Sequence, residues 1–292
     1  MASGSSPKKP RLYLRRGEKI GKGLRTVASL QLEAALAELQ GNNVSPEPVH
    51  NTRIYIKKVR SIIQLAAPAL GRIRREHLLD LLHEAGSRLG PLRDSEVQVQ
   101  SLDLALESAQ LSVEHFSSLR NGLADIAKQR RANDSRQVPR IMGFLEKVLK
   151  SIPEWPLDEL GGKDIRRRIR RTYRRAKTTL EACHAGDAPE LFHTWRKLAK
   201  QLGYQILITS KYWPDSAEDL ISDLHSISEL AGSERDYSLL IQTMKSGPKN
   251  RASEEIIGII TAQISSLRRQ AIREGLNFHE AKPKAFAEPL EL

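Results

Sequence analysis

The sequence predicts an all-α protein made of two similar halves. Three observations carry that reading. Leu, Ala, Arg, Lys, Glu and Gln dominate the 292 residues, aromatics make up only 5%, and no extended run of Val, Ile, Thr and aromatics marks a strand. The motif His-x-x-Arg-x-x-x-Lys occurs twice, at His50/Arg53/Lys57 and at His193/Arg196/Lys200, an offset of 143 residues from position 50 to position 193. An Arg-Asp pair recurs at Arg93-Asp94 and Arg235-Asp236, an offset of 142 residues from position 94 to position 236. Two separate signals at one spacing, about half the chain, point to a duplicated unit; solenoid repeats run about 20–50 residues.

Residues 1–14 begin small, polar and Pro-containing and read as a disordered tail. The first half covers 15–150. Its first helix spans about 17–39, with Ile20, Leu24, Val27, Leu30 and Ala34 inward. Gly41-Asn42-Asn43 stops it with residues that tolerate a left-handed cap. Ser45-Pro46-Glu47-Pro48 starts the second helix, which carries the first His motif and ends near Pro68 to Gly71. A third helix over about 73–89 stops at Gly90-Pro91, and a fourth opens at Arg93-Asp94-Ser95-Glu96 and reaches about 109. Two more span about 113–129 and 139–150.

Pro153, Pro156, Gly161 and Gly162 mark residues 151–162 as the linker between the halves. The second half, 163–276, repeats the order. A basic helix spans about 163–183, and the second His motif follows the Gly186-Asp187-Ala188-Pro189 turn. A helix over about 217–230 ends in a turn at Ala231-Gly232-Ser233-Glu234, and Arg235-Asp236 opens another to about 244. A last helix spans about 254–274, and 277–292 reads as a C-terminal tail.

Composition excludes several classes. The lone Cys183 rules out an internal disulfide framework and a cysteine metal cluster. No stretch of 18 or more apolar residues offers a membrane span, and the first ten residues lack the apolar core of a secretory signal. A cytoplasmic protein is therefore expected. The net charge of +12 calls for an anionic partner: nucleic acid, a phosphate polymer or an anionic surface. The excess is concentrated in 8–25 and 163–177, at the first helix of each half.

Each His motif builds a one-sided basic face. At about 100° per residue, His50, Arg53, Lys57, Arg60 and Gln64 gather opposite Tyr55, Val59, Ile62, Ile63 and Ala66. His193, Arg196, Lys197, Lys200 and Tyr204 gather opposite Leu191, Trp195, Leu198, Leu202 and Ile206, with no carboxylate among them. A solvated helix face mixes both signs, since opposite charges three or four apart support each other; these faces repel themselves and call for an external anion. In the basic helix, Ile165, Ile169, Tyr173, Ala176 and Leu180 form the apolar stripe, and Arg167, Arg171 and Arg174 stand opposite. Guanidinium forks match phosphate oxygens and keep their charge.

Bland readings compete at each position. A single His is more often structural than a ligand; repetition with Arg three later and Lys seven later favours donation to an anion. A metal site needs three or four ligands, and neither carboxylates nor Cys accompany the histidines, so no metal and no cofactor is expected. A general base needs an oriented nucleophile, and none is visible. Asp94 and Asp236 suit the positive end of a helix, so the Arg-Asp pairs read first as structural. Trp155, Trp195 and Trp213 read as packing, and no aromatic ladder interleaves the basic faces as single-strand stacking needs.

Two helical halves, each with a basic first helix, a second helix opening His-x-x-Arg-x-x-x-Lys and a later Arg-Asp, resemble the CHAD family, named for its histidine-bearing α-helical domain. The resemblance covers about 15–275, nearly the whole chain. It implies two antiparallel four-helix bundles related by a pseudo-two-fold axis, with a basic cavity or pore between them. It also implies non-catalytic binding of inorganic polyphosphate, a site that phosphate or sulfate ions would also occupy, and a link to polyphosphate granules. Carried over by position, the first half offers His50, Arg53, Lys57, Lys58 and Arg60, with Lys19, Lys22 and Arg25 from its first helix. The second offers His193, Arg196, Lys197 and Lys200, with Arg167, Arg171 and Arg174 from its first helix. Arg93, Asp94, Tyr204, Arg235 and Asp236 support them. The halves depart from one another where Gly203 takes the place of Arg60. The alternative is a nucleic-acid-binding protein using the same surface; specific base reading is not expected, and neither is catalysis.

Overall fold

The computed structural model describes residues 10–42, 45–186, 189–214, 217–246 and 251–292. Regular structure among them is entirely helical, as the composition predicts. The helices are α1 Ile20–Glu38, α2 Pro46–Leu65, α3 Ala67–Leu70, α4 Arg72–Arg88, α5 Gly90–Ser108, α6 Ser117–Asp134, α7 Val138–Ser151, α8 Gly162–Ala185, α9 Pro189–Thr209, α10 Ala217–Ser246, α11 Arg251–Phe278 and α12 Pro283–Ala287.

Apolar stripes at helical spacing close these helices into two rings. In the first, α1 packs on α2, α2 on α4, α4 on α7 and α7 on α1. In the second, α8 packs on α9, α9 on α10, α10 on α11 and α11 on α8. The rings meet where α2 packs on α9 and α8. One apolar core runs through both, from Leu24 and Val59 to Trp155, Ile169, Trp195 and Leu224. A smaller core lies beyond them, where Leu102, Leu106, Phe116 and Leu123 of the first half meet Leu240, Met244, Ile256 and Ile260 of the second.

The turn expected at Ala231-Gly232-Ser233-Glu234 is absent: α10 runs unbroken through it. The physical reason is one residue. In the first half Pro91 lacks an N–H and fixes a new helix start after Leu89. The matching position in the second half is Ser233, which costs a helix only a few tenths of a kcal/mol, ~0.5. Ala231 is buried there, and Glu234 pairs with Arg268 at 2.6 Å. The last helix likewise extends past its predicted limits at both ends, to Arg251–Phe278.

Both predicted tails differ from the structure within the described residues; residues 1–9 lie outside them. Leu14 is buried, and its N–H donates to the Ile208 carbonyl at 2.8 Å. Gln31 Nε2 donates to the Arg11 carbonyl at 2.8 Å. At the other end, the Phe286 ring stacks on Tyr173 at 3.9 Å between centroids, and Leu290 is buried. Lys177 Nζ donates to the His279 carbonyl at 2.6 Å. Pro283 interrupts the helical pattern and charged residues surround Phe286 and Leu290, which is why this packed segment reads as a tail. The 151–162 linker is also packed, with Trp155 and Leu157 buried. It presses on α1 so closely that a Cβ on Gly21 would lie 2.0 Å from the Leu157 carbonyl oxygen.

Candidate anion-binding site

The seam between the two rings is where the His motifs meet. On α2 the buried face is Val49, Thr52, Ile56, Val59 and Ile63, which leaves His50, Arg53 and Lys57 turned off the first core. On α9 the buried face is Phe192, Trp195, Leu198, Ala199, Leu202 and Ile206, which does the same for His193, Arg196 and Lys200. Packing of α2 on α9 then brings like charges together.

The titration of the groups records this crowding. Burial, and then the charges of Lys200, Arg53, Arg196 and Arg93, push the Lys57 ammonium down to about 7. Lys200 is lowered by burial and by Arg196 and Arg93, with Glu229 and Asp236 opposing. His50 is lowered by burial and then by Arg93, Lys57, Lys200 and Arg53. His193 is lowered to about 4 by burial and by Lys197, Arg235 and Arg196. Both imidazoles are therefore neutral at pH 7 in the unliganded protein, and each keeps one N–H donor.

Counter-charge is sparse. Arg93 Nη2 reaches Asp236 Oδ2 at 3.5 Å, so the Arg-Asp of one half pairs with that of the other. Asp94 acts on Arg53, and Asp236 and Glu234 act on Arg196. Arg53 Nη1 donates to the Gly86 carbonyl at 2.9 Å, in the last turn of α4. Arg196 Nε is buried with no hydrogen-bond partner. The Lys57 and Lys200 ammoniums have no hydrogen-bond or ion-pair partner among the described residues. The helix-start reading of the Arg-Asp pairs does not hold: α5 begins at Gly90, and Arg235-Asp236 lies inside α10. Their place is the seam.

The remaining expected residues fall less evenly. Lys197 stands one turn from His193 and acts on it. The Tyr204 phenol is raised to about 12 by burial, with Arg196 opposing, and stays protonated. Arg60 is exposed and lies further along the His50–Lys57 face, toward Gln64. Lys58 turns aside, over the Tyr55 ring at 5.1 Å. The α1 residues are not brought to the seam. Arg25 donates to the Trp155 carbonyl at 2.7 Å and to Asp158 at 2.6 Å, Lys19 acts on the same Asp158, and Lys22 is exposed. The linker, unseen as a packed element in the sequence, takes their charge.

On α8 the expected face also shifts. Arg167 pairs with Asp164 at 3.4 Å, and Arg174 is exposed. The arginine that faces α2 is Arg168, with Nε to the Gln64 carbonyl at 2.9 Å and Nη2 to Gln64 Oε1 at 3.1 Å. Arg171, Arg75 and Arg175 crowd it and lower it further, after burial. A second basic cluster thus stands at the end of the α2 face, with Arg60 one turn before Gln64. The missed signal was Arg168 itself, on the flank of the apolar stripe beside Ile165 and Ile169, where a neighbouring helix packs. At the other end, a cavity of about 320 Å³ opens beside His50 and Arg93.

The family model for the CHAD domain matches residues 27–245. The crystal structure of the CHAD domain from the plant Ricinus communis is similar at 20% identity and a TM-score of 0.73, covering 94% of this chain and 97% of that one. PptA from Streptomyces chartreusis is similar at 14% identity and a TM-score of 0.58, covering 90% of this chain and 99% of that one. No curated protein matches the sequence significantly. At these identities the likeness to solved structures shows the fold. With the family model spanning most of the sequence, from within α1 to near the end of α10, this chain belongs to the CHAD domain family.

Proposed function

We propose that the protein binds inorganic polyphosphate along the seam, without catalysis. One observation carries the reading: Lys57 and Lys200 are crowded together with Arg53, Arg196 and Arg93, and the ammoniums have no acceptor among the described residues. Burying a cation is unfavourable unless it is paired, and like charges add repulsion. A linear polyanion offsets both terms along the whole face, from His50 to the Arg168 cluster. Polyphosphate supplies charge at short spacing with no base to accommodate, which suits a face made of Lys, Arg and His. The family resemblance points the same way, and it would place the protein at polyphosphate granules in the cytoplasm.

The test is calorimetric titration with long-chain polyphosphate, repeated with duplex DNA at equal phosphate concentration. Tight polyphosphate binding with weak DNA binding is expected. Equal affinity for both would mean that net charge alone explains the binding. Affinity should fall steeply with salt, since neutralised phosphates release counterions. The double variant Lys57→Gln, Lys200→Gln should weaken polyphosphate binding by about tenfold or more per lysine, as lost charge-assisted hydrogen bonds are worth about 1.5–3 kcal/mol. The same variant should raise the Tm, because it removes two mutually repelling, poorly hydrated charges. Undiminished binding would sink the site assignment. Absence of phosphate release on prolonged incubation is the companion check on catalysis.

A further inference from the structure

A cavity lies away from the seam. It measures about 620 Å³ and sits between the end of α8, the start of α9 and one face of α11. Ligand pockets fall in the range of about 300–1,000 Å³. Its apolar lining is the half-buried Ile272 and Leu276 with the buried Cys183 and Phe192. On the same face of α11 stand Arg268, Arg269 and Arg273, and among the described residues no carboxylate lines the cavity. Arg269 and Arg273 stand one turn apart on α11, so their guanidiniums can share one anion. Neither makes an ion pair among the described residues. Arg268 is held in place, with Nη2 2.6 Å from Glu234 Oε1 and its guanidinium 5.4 Å above the Phe192 ring. The lining therefore sets a fixed cation and two exposed ones beside a small apolar surface.

We infer that this cavity binds a small phosphomonoester with a flat or apolar body, of mononucleotide size. The phosphate sits on Arg269 and Arg273, and the body lies along Ile272 and Leu276 beside Arg268. An inorganic polymer has nothing to place against that apolar surface, so the site is separate from the seam and does not rest on its reading. Cys183 makes the test specific, because it is the single cysteine of the chain and lines this cavity.

The probe is AMP, with adenosine and inorganic phosphate as controls, measured by calorimetry and by the rate at which a small thiol reagent modifies Cys183 in the folded protein. AMP should bind and slow the modification, and neither control should match it. The double variant Arg269→Gln, Arg273→Gln should weaken AMP binding by about tenfold or more and abolish the protection, with circular dichroism unchanged. Its polyphosphate titration should equal that of the wild type. No AMP binding at millimolar concentration would overturn the inference. So would binding that leaves Cys183 as reactive as before, which would place the nucleotide in the seam. Equal protection by phosphate alone would overturn the phosphomonoester class. Each of these outcomes leaves the polyphosphate titration standing or falling on its own.

Discussion

Lys57 holds a proton loosely, and that links ligand to pH. Its value of about 7 in the free protein lies far below the 10.5 of a solvated lysine. A phosphate chain beside it favours the charged form and raises the value again. The proposed binding should therefore take up protons at pH 8, with affinity rising as pH falls from the raised value toward about 7. His193 extends the effect downward, since its own free value is about 4 and bound phosphate raises it too. Titration with polyphosphate at pH 8 in two buffers of different ionisation enthalpy should show net proton uptake, and the Lys57→Gln variant should lose most of it. Proton release on binding would contradict the arrangement. Stability of the unliganded protein follows the same residue. Between about 7 and 10.5 the unfolded chain holds a proton that folded Lys57 does not. Folding stability therefore falls as pH drops across that window and levels off below it.

At the scale of the element, one imino acid separates α4 and α5 from their continuous counterpart. Placing proline at the matching point of the second half, Ser233→Pro, removes a hydrogen bond from inside α10 and should lower stability by about 3 kcal/mol. Denaturant unfolding monitored by circular dichroism measures it; a neutral result would mean that α10 already bends there. The same contrast explains what the sequence could and could not tell. Helix existence was legible nearly everywhere, because Leu and Ala at three- and four-residue spacing leave little choice. The paired faces of α2 and α9 were legible because each motif lies within two turns of one helix. The roles of Arg25 and Arg168 were not, since each is decided by an acceptor more than a hundred positions away: Asp158 for one, Gln64 for the other. The packed end at Phe286 and Leu290 was hidden for the same reason, as a few apolar residues among charged ones announce burial only when their partner Tyr173 is known.

For the whole molecule, the shared core sets the unit of folding. Residues from Leu24 to Leu224 belong to one apolar cluster, and the second, smaller core is also built from both halves. The outer core and the α2–α9 seam are completed only when both halves are present. A fragment ending at position 161 should therefore be poorly folded by circular dichroism, and mixing it with the remaining fragment should restore helix content. An independently folded, cooperative half would contradict this. Native-state hydrogen exchange should find α6 and the ends of α10 and α11 opening before the seam, because the outer core is small. The seam has a further consequence. The helices that hold the two rings together are the same ones that present the charged face, so the protein rests against an electrostatic spring compressed between its own halves. A polyanion laid along that face acts as a clamp: it turns the repulsion into attraction and stiffens the joint it occupies. Occupancy and rigidity then become a single quantity.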